Sequence, residues 1–144
     1  LNLDMTSNIL GFNAYGNPEV ENLISQYGKE IKEIDENYQN LNISKAGLHS
    51  DQQSFMLEGI PVTRPNKKLA QKAQDCYHAD CDSFDLVSRE DINNNVKYTS
   101  MMLYALANTD KLPARQTSEE TKEHLTNQNL KEALILGKEW FWEE

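Results

Sequence analysis

The chain has 144 residues, with 14 Lys and Arg against 23 Asp and Glu, a formal net charge of −9. That length suits one ordinary domain whose core removes roughly two-thirds of the unfolded surface from water. The acidic balance excludes a nucleic-acid binder that works through clustered cations, and no apolar run approaches the roughly 18 residues that cross a bilayer. Hydrophobic residues at 38% and charged residues at 26% match a folded chain rather than a disordered one.

Leu1-Asn2-Leu3-Asp4-Met5 alternates apolar and polar side chains and reads as a strand end, with Asp4 at its C-terminal edge. The chain opens on Leu1 rather than Met, inside this apparent strand, so the expectation is a piece of a longer protein. Thr6 to Gly16 is polar and Gly-rich. A helix then starts at Asn17 as N-cap and Pro18 at the first helical position. Val20, Leu23, Ile24, Tyr27, Ile31 and Ile34 make its apolar face, and Gly28 weakens it by roughly 1 kcal/mol relative to Ala. Tyr38 to Ile43 is a second strand candidate.

Ser50 to Glu58 reads as a short helix capped by Ser50, burying Phe55, Met56 and Leu57 and ended by Gly59. Ile60-Pro61-Val62 is a further strand candidate, and Thr63 to Asp75 reads as loop or short helix. Ser88 and Asp91 open a third helix whose apolar stripe is Ile92, Val96, Thr99, Leu103 and Leu106. Leu112-Pro113 breaks the chain. Thr117 with Glu120 forms a capping box for a helix from Ser118 onward, interrupted near Asn127 or Gly137. Trp140, Phe141 and Trp142 are a large apolar load, so part of this tail is expected to be buried. Short strands alternating with helices suggest an α/β layer fold.

The chemistry-bearing residues are few. Of three histidines, His124 sits in a charged helix and reads as solvated, and His49 precedes Ser50-Asp51 in a loop. His78 lies within Cys76-Tyr77-His78-Ala79-Asp80-Cys81-Asp82. As zinc ligands the two cysteines lack the second pair that structural sites use. A short disulfide clamping Tyr77 and His78 is the better reading and implies an oxidising compartment, hence export; two buried free thiols are the alternative. Imidazole is a common metal ligand, and a neighbouring carboxylate can orient it. The Tyr77 hydroxyl can donate to a developing oxyanion. Asn42-Ile43-Ser44 matches a glycosylation sequon.

Three segments in order then carry a resemblance: Leu1 to Met5; His49-Ser50-Asp51-Gln52-Gln53-Ser54-Phe55 with Glu58-Gly59-Ile60-Pro61; and Cys76 to Asp82. Together they resemble the C-terminal half of the secreted co-catalytic di-zinc aminopeptidases, of the leucyl-aminopeptidase and aminopeptidase Y type. The resemblance covers about residues 1 to 107. It implies part of a three-layer zinc-exopeptidase fold, a mixed sheet with flanking helices. Residues 1–110 would be the C-terminal part of the catalytic domain, and 111–144 a C-terminal helical extension.

Residue by residue, the resemblance implies that Asp4 binds one zinc and His78 the other, that Tyr77 stabilises the oxyanion, and that Asp82 orders the ligand loop. Ser50 and Asp51 would shape the turn behind the site. Thr63 and Arg64 would line the substrate pocket, in a stretch bulkier and more basic than the Gly-rich one of some relatives. The implied reaction is hydrolysis of N-terminal residues from peptide substrates, with two zinc ions roughly 3.5–4 Å apart polarising the carbonyl and acidifying a water. The family's His-x-Asp motif and Glu-Glu pair have no match here. Glu119-Glu120 and Glu143-Glu144 lie too late in the chain and read as solvated charges. The expectation is therefore an inactive 144-residue piece of a secreted or periplasmic enzyme. The alternatives are a mono-zinc relative such as a glutaminyl cyclase, and a non-catalytic binding domain of the same fold.

Overall fold

A computed structural model describes residues 1–4 and 7–143. Met5, Thr6 and Glu144, which belong to the first strand reading, the polar stretch and the last acidic pair, lie outside the described residues. The architecture is mixed α/β, with two antiparallel strands and helices packed against them. Strand β1 (Asn8–Asn13) pairs with β2 (Arg64–Lys68), joining Asn8 to Lys68 and Asn13 to Arg64, with the register slipping between Ile9 and Gly11. On the other side of β1, residues 41–43 run parallel to it. Leu41 N–H donates to the Leu10 carbonyl (2.8 Å), Ile43 N–H to that of Phe12 (2.9 Å), and Ala14 N–H to that of Ile43 (2.8 Å).

Several expectations shift. Leu1 to Asp4 carries no strand; its backbone is tied by Asn2 N–H donating to the Thr63 carbonyl at 2.9 Å and by the Lys67 ammonium donating to the Asp4 carbonyl. The segment read as polar and Gly-rich contains β1. The strand placed at residues 60–62 falls instead at Arg64–Lys68. β2 pairs through backbone groups while several of its side chains reach solvent, so it needs no apolar alternation and shows none.

Helix α1 (Pro18–Ile34) begins as its sequence dictates: Asn17 Oδ1 accepts from Glu19 N–H (3.0 Å) and Val20 N–H (3.1 Å). Val20, Leu23, Ile24 and Ile31 are buried, but Ile34 is 72% exposed, because neighbouring elements leave the last turn uncovered. Gly28 has a packing role: a Cβ there would lie 1.9 Å from Asn40 Oδ1, so the glycine admits that side chain against the helix. Helix α2 (Gln52–Leu57) has no side-chain cap, since Ser50 spends its hydroxyl elsewhere, and its Phe55 is 54% exposed. A short α3 (Gln71–Asp75) and a 3₁₀ turn (Phe84–Leu86) lead to α4 (Arg89–Ala107).

Helix α4 is capped as expected, Asp91 N–H donating to Ser88 Oγ (3.2 Å), but it is rotated about one residue from the apolar stripe. It buries Asn95, Tyr98, Thr99 and Met102, leaving Val96 60% and Leu103 52% exposed. The polar tips explain the choice. Asn95 Nδ2 donates to the Ser7 carbonyl (3.2 Å) and Tyr98 OH to Asp35 Oδ2 (2.8 Å), so both amphipathic side chains go inside satisfied. Lys97 pairs with the same carboxylate, which these bonds, Lys97 first, hold well below the usual carboxylate range.

Helices α5 (Ser118–Asn127) and α6 (Lys131–Leu136) complete the chain, α5 with the full Thr117–Glu120 capping box. One core gathers Ile9, Phe12, Val20, Ile24, Ile31, Tyr38, Tyr98 and Met102 between β1, α1 and α4. A second gathers Tyr15, Ala46, Met56, Leu125 and Leu134, with Trp140 and Trp142 packed on it. The aromatic tail is thus partly buried, although Phe141 faces solvent. No helix among the described residues is long and apolar enough to cross a membrane.

Candidate active site

The sequence-derived site residues fall into two groups. The first centres on Asp4, which is half-buried. Its Oδ2 accepts from Ser50 Oγ at 2.8 Å, and that hydroxyl accepts from Asn2 Nδ2 at 3.0 Å. Asn2 Nδ2 also donates to Gln52 Oε1 at 2.7 Å, so the start of α2 and the start of the chain hold the carboxylate between them. Lys67 of β2 donates its ammonium to the Asp4 backbone carbonyl. Burial pulls that ammonium down to about 8, a shift Asp4 opposes. Asp51 is exposed at the N-cap position of α2.

Tyr15 borders this group. It is buried at φ 53°, its hydroxyl has no partner among the described residues, and the Arg64 guanidinium lies 5.7 Å over its ring. Burial raises its phenol; Arg64 opposes that shift and Asp4 reinforces it. Thr63 is buried, its hydroxyl donating to the Asn13 carbonyl at 2.9 Å.

The second group is the Cys76–Cys81 loop. The two cysteines form a disulfide with Cα atoms 5.1 Å apart, as the spacing suggested. Within it, successive turns (Ala79 N–H to the Cys76 carbonyl, Asp82 N–H to that of Ala79, each 2.9 Å) put His78 at φ 59°. The Tyr77 and His78 rings lie tilted at 48° to each other with centroids 4.0 Å apart, both side chains exposed, Tyr77 at 49%. Tyr77 and Asp82 line a cavity of about 300 Å³ with Leu69, Leu86, Val87 and Asp91.

Among the described residues no hydrogen bond or ion pair joins the two groups. No cluster of three or more His, Cys, Asp or Glu side chains that could hold a metal forms among them either. The donor set in hand, one carboxylate and one imidazole, therefore does not by itself make a zinc site. His124, read as solvated, is half-buried: burial lowers its imidazole, opposed by a bond to the Tyr15 backbone carbonyl. Asn42 of the sequon is half-buried too, its Oδ1 accepting from Phe12 N–H (2.8 Å) and its Nδ2 donating to Asn40 Oδ1 (2.8 Å). Sequence reasoning missed Tyr15, which nothing in the sequence marked. It placed Lys67 in the basic segment expected along the substrate pocket, but not its bond to the Asp4 carbonyl.

The profile of Peptidase family M28 matches residues 1–103, and the chain belongs to that family. The family is one of zinc-dependent peptidases, and peptides are the substrate class it implies. The match takes in both residue groups and stops within α4, leaving α5 and α6 beyond it. No curated protein and no solved structure matches the chain.

Proposed function

We propose that this chain supplies part of the active site of an exported, aminopeptidase-like zinc exopeptidase that removes N-terminal residues from peptides. The observation that carries the reading is the held carboxylate of Asp4: Ser50 donates to it and Asn2 donates to Ser50, all inside the family-matched region. In this reading Asp4 and His78 are ligands to two different zinc ions. Tyr77 helps stabilise the oxyanion with a hydrogen bond from its phenol, and Asp82 keeps the disulfide loop in place. Thr63 and Arg64 belong to the wall facing the substrate. The two-stranded sheet is a portion of a three-layer fold, residues 1–110 belong to the catalytic domain, and 111–144 form an added helical element. The remaining ligands and the general base are not among these residues. The disulfide supports a secreted or periplasmic location.

Two ligands on separate groups bind zinc weakly, so the 144-residue chain is expected to show weak zinc uptake and no turnover. The test is equilibrium dialysis with metal analysis on the wild type, D4N and H78A, alongside aminoacyl-p-nitroanilide hydrolysis by mass-verified protein. Zinc uptake that falls in both variants supports the ligand assignment; uptake indifferent to both removes it. Turnover by the verified chain would overturn the incomplete site.

A further inference from the structure

Residues past the family-matched region reach back to the turn that carries Ser50. Gln53, buried on α2, uses both ends of its amide. Its Oε1 accepts from His49 N–H at 2.6 Å, and its Nε2 donates to Glu139 Oε2 at 2.6 Å. Glu139 is itself placed by the end of α6, its N–H donating to the Leu134 carbonyl at 2.8 Å beside Lys138 at φ 59°. His49 sits at φ 69°, a left-handed conformation that a non-glycine residue keeps only when its surroundings impose it. The next residue is Ser50, whose hydroxyl meets Asp4.

The grip is repeated at the other end of the same irregular segment. Gln128, at the end of α5, accepts from Ala46 N–H through its Oε1 at 2.9 Å and lies against Gly16, where a Cβ would approach within 2.3 Å. Between the two grips, Leu125, Leu134, Trp140 and Trp142 pack on Ala46, Leu48, Met56 and Leu57. Among the described residues, 46–51 form no strand ladder, and contacts from α5, α6 and the tail join those from Asn2 and Asp4 in holding them.

We infer that α5, α6 and the following tail act as a strut for the turn whose Ser50 holds Asp4, with Glu139 and Gln53 as positioning residues. The chain of bonds runs Glu139, Gln53, His49, Ser50, Asp4. Its consequence for chemistry rests on the peptidase reading of Asp4; the strut itself does not.

The test uses the full chain, isotopically labelled, and reads amide exchange at His49 together with the side-chain amide signals of Asn2, which report the Ser50 hydroxyl. E139A is expected to speed His49 exchange roughly tenfold and to move the Asn2 signals, with α1 and α4 amides unchanged. E139Q keeps an acceptor and is expected to resemble the wild type. Q53E sets two carboxylates against each other and is expected to loosen the turn. The double variant Q53E/E139Q exchanges donor and acceptor and is expected to restore protection, which a merely bulky contact would not do. Unchanged His49 exchange in both E139A and Q53E overturns the inference, as does a double variant no better than Q53E, or acceleration spread equally over α1 and α4. Zinc dialysis is read separately: if it fails while the exchange pattern holds, the metal reading falls and the strut stands.

Discussion

Gly11 sits where the backbone of residues 41 and 42 runs close alongside β1. A Cβ at this position would lie 2.3 Å from the Leu41 carbonyl oxygen, 2.5 Å from its carbon and 2.9 Å from Asn42 N. All three atoms are backbone, so no rotamer change relieves the clash, and the neighbouring segment must retreat by roughly 1 Å to reach ordinary contact distance. That movement strains the bonds nearest the contact: Leu41 N–H to the Leu10 carbonyl (2.8 Å), Phe12 N–H to Asn42 Oδ1 (2.8 Å), and Asn66 Nδ2 to the Leu41 carbonyl (2.7 Å). At about 1 kcal/mol net for each bond, G11A is expected to cost about 3 kcal/mol. For a chain of this size that lowers Tm by about 9 °C. Gly47 provides the control: a Cβ there meets nothing within 4 Å, so G47A is expected to be neutral or slightly stabilising. Urea and thermal unfolding followed by circular dichroism measure both variants. If G11A unfolds within about 1 kcal/mol of the wild type, the close contact does not constrain β1 in the way the distances require.

Three further outcomes follow from other parts of the molecule. Tyr38 is fully buried, 4.8 Å from Tyr98 between ring centroids, and its hydroxyl has no partner among the described residues. Y38F is therefore expected to be neutral or to stabilise by up to about 1 kcal/mol in urea unfolding, and a clear loss would reveal a hydroxyl partner. His124 has its imidazole lowered by burial, so the unfolded chain takes up this proton more readily than the folded one. Its contribution is complete above the ordinary imidazole value of about 6.5 and is lost as pH falls through that value toward the folded one. The stability difference between about pH 7.5 and pH 5.5 should shrink in H124Q, and an unaltered difference would refute the assignment. The Cys76–Cys81 bridge spans a sequence separation of 5, so C76S/C81S is expected to lose about 2 kcal/mol through loop-closure entropy, with the change in the Tyr77 and His78 signals marking where the loosening is centred.

The parts legible in the sequence are those governed by contacts within a few residues. The Asn17-Pro18 start of α1, the Ser88 cap of α4 and the Thr117–Glu120 box are local hydrogen-bonding choices, and the structure contains each of them. The disulfide is local as well: five positions and two thiols suffice to suggest it. The expectations that failed depended on distant partners. Ser50 looks like a cap for α2 until Asp4, 46 residues earlier, takes its hydroxyl. α4 looks apolar along Val96 and Leu103 until Ser7 and Asp35 provide partners for Asn95 and Tyr98. β2 does not look like a strand because backbone pairing with β1, rather than buried side chains, forms it.

The order of the segments around Asp4, Ser50 and Tyr77-His78 suggested a zinc peptidase from the sequence alone, and the match of residues 1–103 to Peptidase family M28 bears out the family at that level. The tertiary structure alone decided which side chains hold Asp4, that Gln53 links its turn to Glu139, and that the Asp4 and His78 groups are not joined by a hydrogen bond or ion pair among the described residues. The reason is range: a cap or a disulfide loop is closed by neighbours a few residues away. The bonds that position Asp4 join residues 46, 48 and 86 places apart, and only the folded chain brings those together.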